Sequence, residues 1–399
     1  MAGGLTLVLL LYFITRLLLQ RFIKGRPLLK VGILLNLYWY HIFFTGVYYL
    51  MTISSPSDST SYYNRPQLEY FSWLEAYDSG THFIDFVGYP FINWLHFTYE
   101  MMMVLFSWMG YWGFVYFYIF FKENIQYKHF LKGYDLINVF IFLPNMHYWT
   151  SSLGKGSIIF WGLGMATYGL SQIKSRKFAL LLGLAIVYHV RPHVFLFMCI
   201  GIIVGMVTGR EKVPLYQKMI VFGGCAIATF FLYNSIIGFA GLDSDNLVDS
   251  FDQFSSTRAS ELAGANSGID ISNYPLALKL FSFWFRPLFI DSPSVQGLVV
   301  SFENLLYLFL FSKLFNKGFL KFVAKGTSLI KTCAVVFLAT SLALGETLSN
   351  MGIIIRQKSM VMYFLLFICI SFMDYKKSAF LDKRNAAAEE KKIKEMAVF

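Results

Sequence analysis

The basic residues of this 399-residue chain fall almost entirely on one side of a series of apolar spans, and that sorting constrains the fold before any motif is read. Apolar runs at 31–51, 97–121, 156–170, 178–190, 194–207, 219–239, 297–311, 333–344 and 361–372 have membrane length or somewhat less. With weaker candidates at 5–19 and 136–148, about 11 spans result. Alternating them places 26 of the 34 Lys and Arg in one set of loops and 8 in the other. By the positive-inside rule the basic set is cytoplasmic, which puts the N-terminus outside and the C-terminus inside. The expected fold is therefore all-α, a polytopic transmembrane helix bundle whose extracytoplasmic loops carry interfacial helices.

The same alternation puts 15 of the 23 acidic residues outside, so the net charge of +11 reports topology and contact with anionic lipid. Nucleic acid is not an expected partner, because that would need basic residues clustered on a soluble face. At 56% hydrophobic and 14% charged, the composition leaves no separate soluble domain: residues 1–375 read as the transmembrane domain and 376–399 as a basic cytoplasmic tail. Cys199, Cys225, Cys333 and Cys369 all lie in or at the ends of apolar runs, which excludes a disulfide framework and a paired-cysteine metal site.

Four outer segments are long or polar enough to build a site: 52–96, 149–155, 241–294 and 345–358. The inner loops are short and basic and lack the Gly-rich strand-to-helix pattern that cradles nucleotide phosphates, which disfavours a nucleotide-driven motor. In the first outer loop, 54–59 reads as a turn and 80–95 as a helix on or re-entering the surface. In the third, Leu247, Val248, Phe251 and Phe254 recur at helical spacing and predict an amphipathic interfacial helix.

Asp58, followed by Tyr62 and Tyr63 just beyond a span, has the arrangement a base needs to deprotonate a sugar hydroxyl: partial desolvation, access from water and neighbouring aromatics. A turn or capping aspartate is the plainer alternative. The run from Leu143 to Lys155 concentrates His147, Trp149, three hydroxyl residues and one cation where a span ends, as a lipid headgroup site would. Arg191 and His193 flank Pro192 between two spans, and a cation at that depth needs an anionic partner. That partner is either a lipid phosphate or a loop carboxylate such as Asp58 or Glu303. Arg286 and Arg356 lie near the starts of later spans, so with Lys155 and Arg191 they place four outer cations beside the membrane, enough for a pyrophosphate. Glu261, Asp291 and Glu346 are the next candidates for a base. The histidines lack metal-ligand spacing, so no cofactor is expected and a divalent metal is optional.

These residues resemble a family. Leu143-Pro144 through Trp149, Ser151 and Gly154-Lys155 is similar to the leucine-proline, aromatic-tryptophan-serine, glycine-lysine segment of bacterial O-antigen and exopolysaccharide polymerase-type proteins. Phe285-Arg286-Pro287 with Glu303-Asn304, and Asn350-Met351-Gly352 with Arg356-Gln357-Lys358, are similar to late segments of the same group, which is related in layout to the GT-C glycosyltransferases. The resemblance spans residues 54–365. It implies a bacterial inner-membrane glycosyltransferase or polysaccharide polymerase, a polyprenyl-phosphate or pyrophosphate glycan donor, transfer at the extracytoplasmic face, and envelope-assembly proteins as candidate partners. Asp58 takes the place of the first-loop acid, and Arg191, Arg286 and Arg356 the cationic positions that hold phosphate. Where the GT-C layout has adjacent acids, Asp58 stands between two serines. Two other classes stay open: a transporter or flippase of a lipid-linked glycan, which would use the same outer arginines, and a non-catalytic subunit of an envelope complex, which would leave the outer acids free of any reactive geometry.

Overall fold

The computed structural model describes residues 2–55, 57–211, 214–240, 274–292, 294–347 and 350–396. The expected interfacial helix at 245–254, Glu261 and the side chain of Glu346 lie outside the described residues. About 81% of the structure is helical, and the one sheet among the described residues is a hairpin pairing Phe130 with Asp135 and Leu131 with Tyr134. The chain is all-α.

Helices α1 (Ala2–Ile23) and α2 (Val31–Ser54) lead into two short helices, α3 (Asp58–Leu68) and α4 (His82–Tyr89), the second continued by a π turn over Pro90–Trp94. Next come the long α5 (Tyr99–Asn124), the short α6 (Leu136–Ile141) and α7 (Pro144–Thr150), then α8 (Lys155–Ser171), α9 (Ile173–Val190), α10 (Pro192–Thr208) and α11 (Leu215–Ala240). The rest comprises α12 (Leu276–Phe285), α13 (Val295–Ser312), α14 (Lys317–Ala324), α15 (Ser328–Thr347), α16 (Met351–Gln357) and α17 (Met362–Met396). The basic tail thus continues the last helix through Met396.

Among the described residues four helices are long and apolar enough to cross a membrane: α1, α5, α13 and the Ser328–Gly345 part of α15. A fifth results if α16 and α17, bent by 56° at their junction, count as one broken span. Other apolar runs form shorter helices: α10 has 17 residues, about 25 Å at 1.5 Å per residue, at the lower end of the length that spans a core of about 30 Å. The run at 136–148 is not one helix. Pro144 has no N–H to give, and it holds Leu143 extended (φ −66°, ψ 121°), so the chain breaks there and restarts as α7.

Helix α5 is the centre of the bundle, 83% buried along its apolar window. Its close approach to α7 requires Gly110, since a Cβ there would overlap the carbonyl oxygen of Thr150. Two of the buried tyrosine hydroxyls find backbone acceptors: Tyr38 donates to the Val8 carbonyl at 2.6 Å and Tyr111 to the Leu34 carbonyl at 3.0 Å.

Candidate anion site

Three chain breaks place three cations in one cavity. Lys155 is the first residue of α8. Arg191 sits between α9 and α10, where the following Pro192 keeps it out of the helical region (φ −149°, ψ 85°). Arg356 lies in the last turn of α16, where the helix dipole favours a cation. All three line the same small cavity with Gly156 and Gln357. The N-terminus of α8 adds its own positive end through Gly156.

The segment between α2 and α5 forms the other side of this site. The Gly80 N–H donates to the His189 carbonyl at 2.6 Å, the Tyr77 hydroxyl is 2.9 Å from His189 Nε2, and Phe83 stacks on the His189 ring. This docking carries Thr81 to Lys155, whose Nζ donates to Thr81 Oγ1 at 2.5 Å. Asp58, in the first turn of α3 behind the N-cap Ser57, accepts from Arg356 Nη1 at 2.9 Å. The Arg356 guanidinium also lies 5.8 Å from the Trp149 ring.

The charges do not balance. Burial, then the neighbouring Arg191 and Arg356, pull the Lys155 ammonium down from 10.5 to about 8. Burial and Arg356 likewise pull Arg191 down to about 10. The Nε of Arg191 is buried without a hydrogen-bond partner among the described residues. Neither acid expected to neutralise Arg191 does so: Asp58 pairs with Arg356, and Glu303 accepts from the Asn145 N–H and from Tyr307. With Arg356 turned to Asp58 the cavity holds about 10 Å³, room for about one water.

Of the residues singled out by sequence, Asp58, Tyr62, Trp149, Lys155, Arg191, His193 and Arg356 come together. Tyr62 is buried beneath the Arg65 guanidinium, 5.0 Å from its ring, and burial with the nearby Asp58 pushes its hydroxyl up to about 12. His193 lies close enough to feel Arg191 and Lys155. Asp58 differs from the expectation of a partly desolvated carboxylate, since its side chain is 64% exposed and ion-paired.

Three residues lie elsewhere. Tyr63 points its hydroxyl at the Phe97 carbonyl, 3.1 Å away, and packs on Tyr99. His147 is fully buried: α7 turns it inward, where it meets His41 Nδ1 at 2.7 Å, gives its other nitrogen to the Ile141 carbonyl and stacks on Phe114 at 3.9 Å. Arg286 is held by a two-pronged ion pair to Asp291 at 2.8 and 2.9 Å, which also occupies one of the alternative bases.

Two features escape sequence reasoning. The first is a second acid between α2 and α5, Asp85 of α4, fully buried and gripped by Arg65 at 2.8 and 2.9 Å and by Tyr70 at 3.1 Å. Burial raises the Asp85 carboxyl in spite of Arg65. Its spacing from Asp58 gives no local motif, and α3 and α4 fold it back. The second is Lys358, fully buried two residues after Arg356, whose Nζ donates to the Arg286 carbonyl at 2.5 Å and to Asn304 Oδ1 at 2.8 Å. Among the described residues no group of three or more His, Cys, Asp or Glu side chains gathers as a metal site would require. Searches of protein-family models, curated proteins and solved structures return no match.

Proposed function

We propose that the chain is a membrane glycosyltransferase or polysaccharide polymerase that takes sugar or glycan from a polyprenyl-phosphate or pyrophosphate carrier at the extracytoplasmic face. In this reading it crosses a bacterial inner membrane about 11 times, with the N-terminus outside and the C-terminus in the cytoplasm. The observation that carries the reading is the meeting of Lys155, Arg191 and Arg356 in one cavity, with Asp58 bound to Arg356.

Such a site is poised for a phosphate. The donor phosphate displaces Asp58 from Arg356, which offers the fork that a phosphate accepts, and Lys155 and Arg191 neutralise the remaining charge. The released Asp58 carboxylate then takes the proton of an acceptor hydroxyl as its oxygen bonds to the anomeric carbon. The bond from that carbon to the phosphate oxygen breaks, and the electron pair leaves on the phosphate, held by the three cations. Trp149 supplies aromatic surface for sugar.

The test is a pair of variants in purified protein and in cells. Arg191→Ala should lose polyprenyl-phosphate binding and glycan output together, whereas Asp58→Asn should keep binding and lose output. Unchanged binding in Arg191→Ala removes the phosphate site, and full output in Asp58→Asn moves the base elsewhere. A second reading, a flippase for the same lipid, is favoured by the 56° break between α16 and α17 beside the buried Lys358, since broken helices mark transporter sites. It predicts lipid movement between leaflets with no glycosidic bond formed.

A further inference from the structure

Helix α8 has charge at both ends. Tyr168, roughly 20 Å along the axis from Lys155, accepts a hydrogen bond from Arg26 at 3.3 Å and lies under the Arg176 guanidinium at 3.9 Å. Beside this end a cavity of about 630 Å³ opens between α1, α5 and α8. Trp108, Trp112 and Trp161 form much of its wall, and Arg21, Lys24 and Arg26 line it as well. The wall is set: the Trp108 indole N–H donates to Thr15 Oγ1 at 2.8 Å, and Trp112 is 8% exposed.

The charge here is unbalanced in a different way from the outer site. Glu123 is engaged by Arg176 through both oxygens at 2.8 and 2.9 Å, and Arg26 shares the same carboxylate at 3.6 Å. Arg26 Nη1 is buried without a hydrogen-bond partner among the described residues. One carboxylate thus serves two arginines, with Arg21 and Lys24 exposed in addition. The apolar window of α1 is 33% buried inside the protein, so much of this helix faces outward, where lipid would lie.

We propose that this cavity binds one anionic phospholipid, with an acyl chain along the tryptophan wall and the headgroup phosphate at Arg21, Lys24 and Arg26. A basic rim over an apolar wall between spanning helices suits a lipid anion, because the phosphate meets cations in the same place that the chain leaves water. A zwitterionic headgroup would bring its own cation against the three basic residues. A free anion would gain nothing from the tryptophans.

The experiment uses the full chain in neutral detergent, stripped of lipid and titrated with phosphatidylglycerol or phosphatidylcholine, with bound lipids counted by native mass spectrometry. The wild type should retain one phosphatidylglycerol that Arg21→Gln/Lys24→Gln holds roughly thirtyfold more weakly, the weight of two basic residues at an anionic headgroup. Both side chains are exposed, so this variant should melt like the wild type. Met109→Trp, which fills the cavity from α5 without touching a charge, should lose the same lipid. Equal retention of phosphatidylcholine, an unchanged double variant, or displacement by millimolar inorganic phosphate would each overturn the proposal.

Discussion

Lys155 and Lys358 are both lysines withdrawn from water near the outer cavity, yet their surroundings differ in kind. Lys358 is fully buried, and its Nζ reaches the Arg286 carbonyl and Asn304 Oδ1. Asn304 in turn donates to the Pro287 carbonyl at 2.7 Å, and Glu303 lies close enough to act on the lysine's charge. Lys155 has one neutral oxygen, that of Thr81, and two arginines beside it. A buried cation whose donors are matched holds a fold together. One set among like charges needs something the protein does not carry.

The contrast breaks most sharply on stability. Lys358→Ala should cost about 2–5 kcal/mol, since it leaves two buried acceptors unpaired and removes the positive charge near Glu303. The detergent melting temperature reads this directly, and Lys358→Ala/Glu303→Gln should recover part of the loss. Lys155→Ala should leave melting unchanged or slightly raised, because it relieves repulsion from Arg191 and Arg356. Equal destabilisation by the two single variants would end the comparison.

A second effect, smaller in free energy, is on binding. Arg191→Ala and Arg356→Ala should each weaken polyprenyl-phosphate binding roughly 10- to 100-fold, at about 1.5–3 kcal/mol per charge-assisted hydrogen bond. Arg→Lys at either position should restore only part, because the planar fork is lost. Arg286→Ala should leave binding alone and act on the loop that Asp291 holds.

These residues also mark what the sequence could and could not supply. Lys155, Arg191 and Arg356 were legible because each interrupts or borders an apolar run, where a cation is costly without a reason. Arg286 has the same local look, yet Asp291 lies within reach once the chain turns through Phe289–Asp291, and pairing across a turn is invisible to periodicity. His147 fell among polar residues at a span end, but restarting the helix at Pro144 aimed it into the bundle, toward His41 over a hundred residues earlier. Lys358 and Asp85 went unread for the same reason: their burial comes from packing between distant segments. The count of spans is a separate matter: apolar runs show where helices form, and among the described residues four or five of those helices are long and apolar enough to cross on their own.

Asp58 sharpens the comparison from the acid side. Among the described residues it pairs with Arg356, and an exposed pair of this kind is worth only about 0–1 kcal/mol, so a phosphate can displace it. Asp58→Asn should therefore tighten polyprenyl-phosphate binding up to about fivefold, which is 1 kcal/mol, by removing the competitor for Arg356. If Asp58 is the base, the same variant should slow turnover by roughly 10²–10⁴, the usual weight of general-base catalysis. Weaker binding in Asp58→Asn would mean that the aspartate orders Arg356 for the ligand instead of competing with it.

The smallest effect is on pH. Lys155 titrates near 8 in the folded protein and near 10.5 when unfolded, with burial the main cause and Arg191 and Arg356 adding to it. Between those values the unfolded chain binds the extra proton, so this lysine's contribution to stability rises with pH across that window. Anion binding runs the other way: a bound anion favours the protonated ammonium, so affinity should fall as pH rises from 7 through 8 to 9.5. Sulfate is the right probe, because its charge is constant over that range whereas a phosphate monoester would gain charge near its lower end. A few-fold loss of sulfate affinity in the wild type should flatten in Lys155→Gln, which has no proton to lose, and in Lys155→Arg, which keeps its proton. A slope that survives in Lys155→Gln would assign the titration to another group and return Lys155 to the role of a lysine held by Thr81 alone.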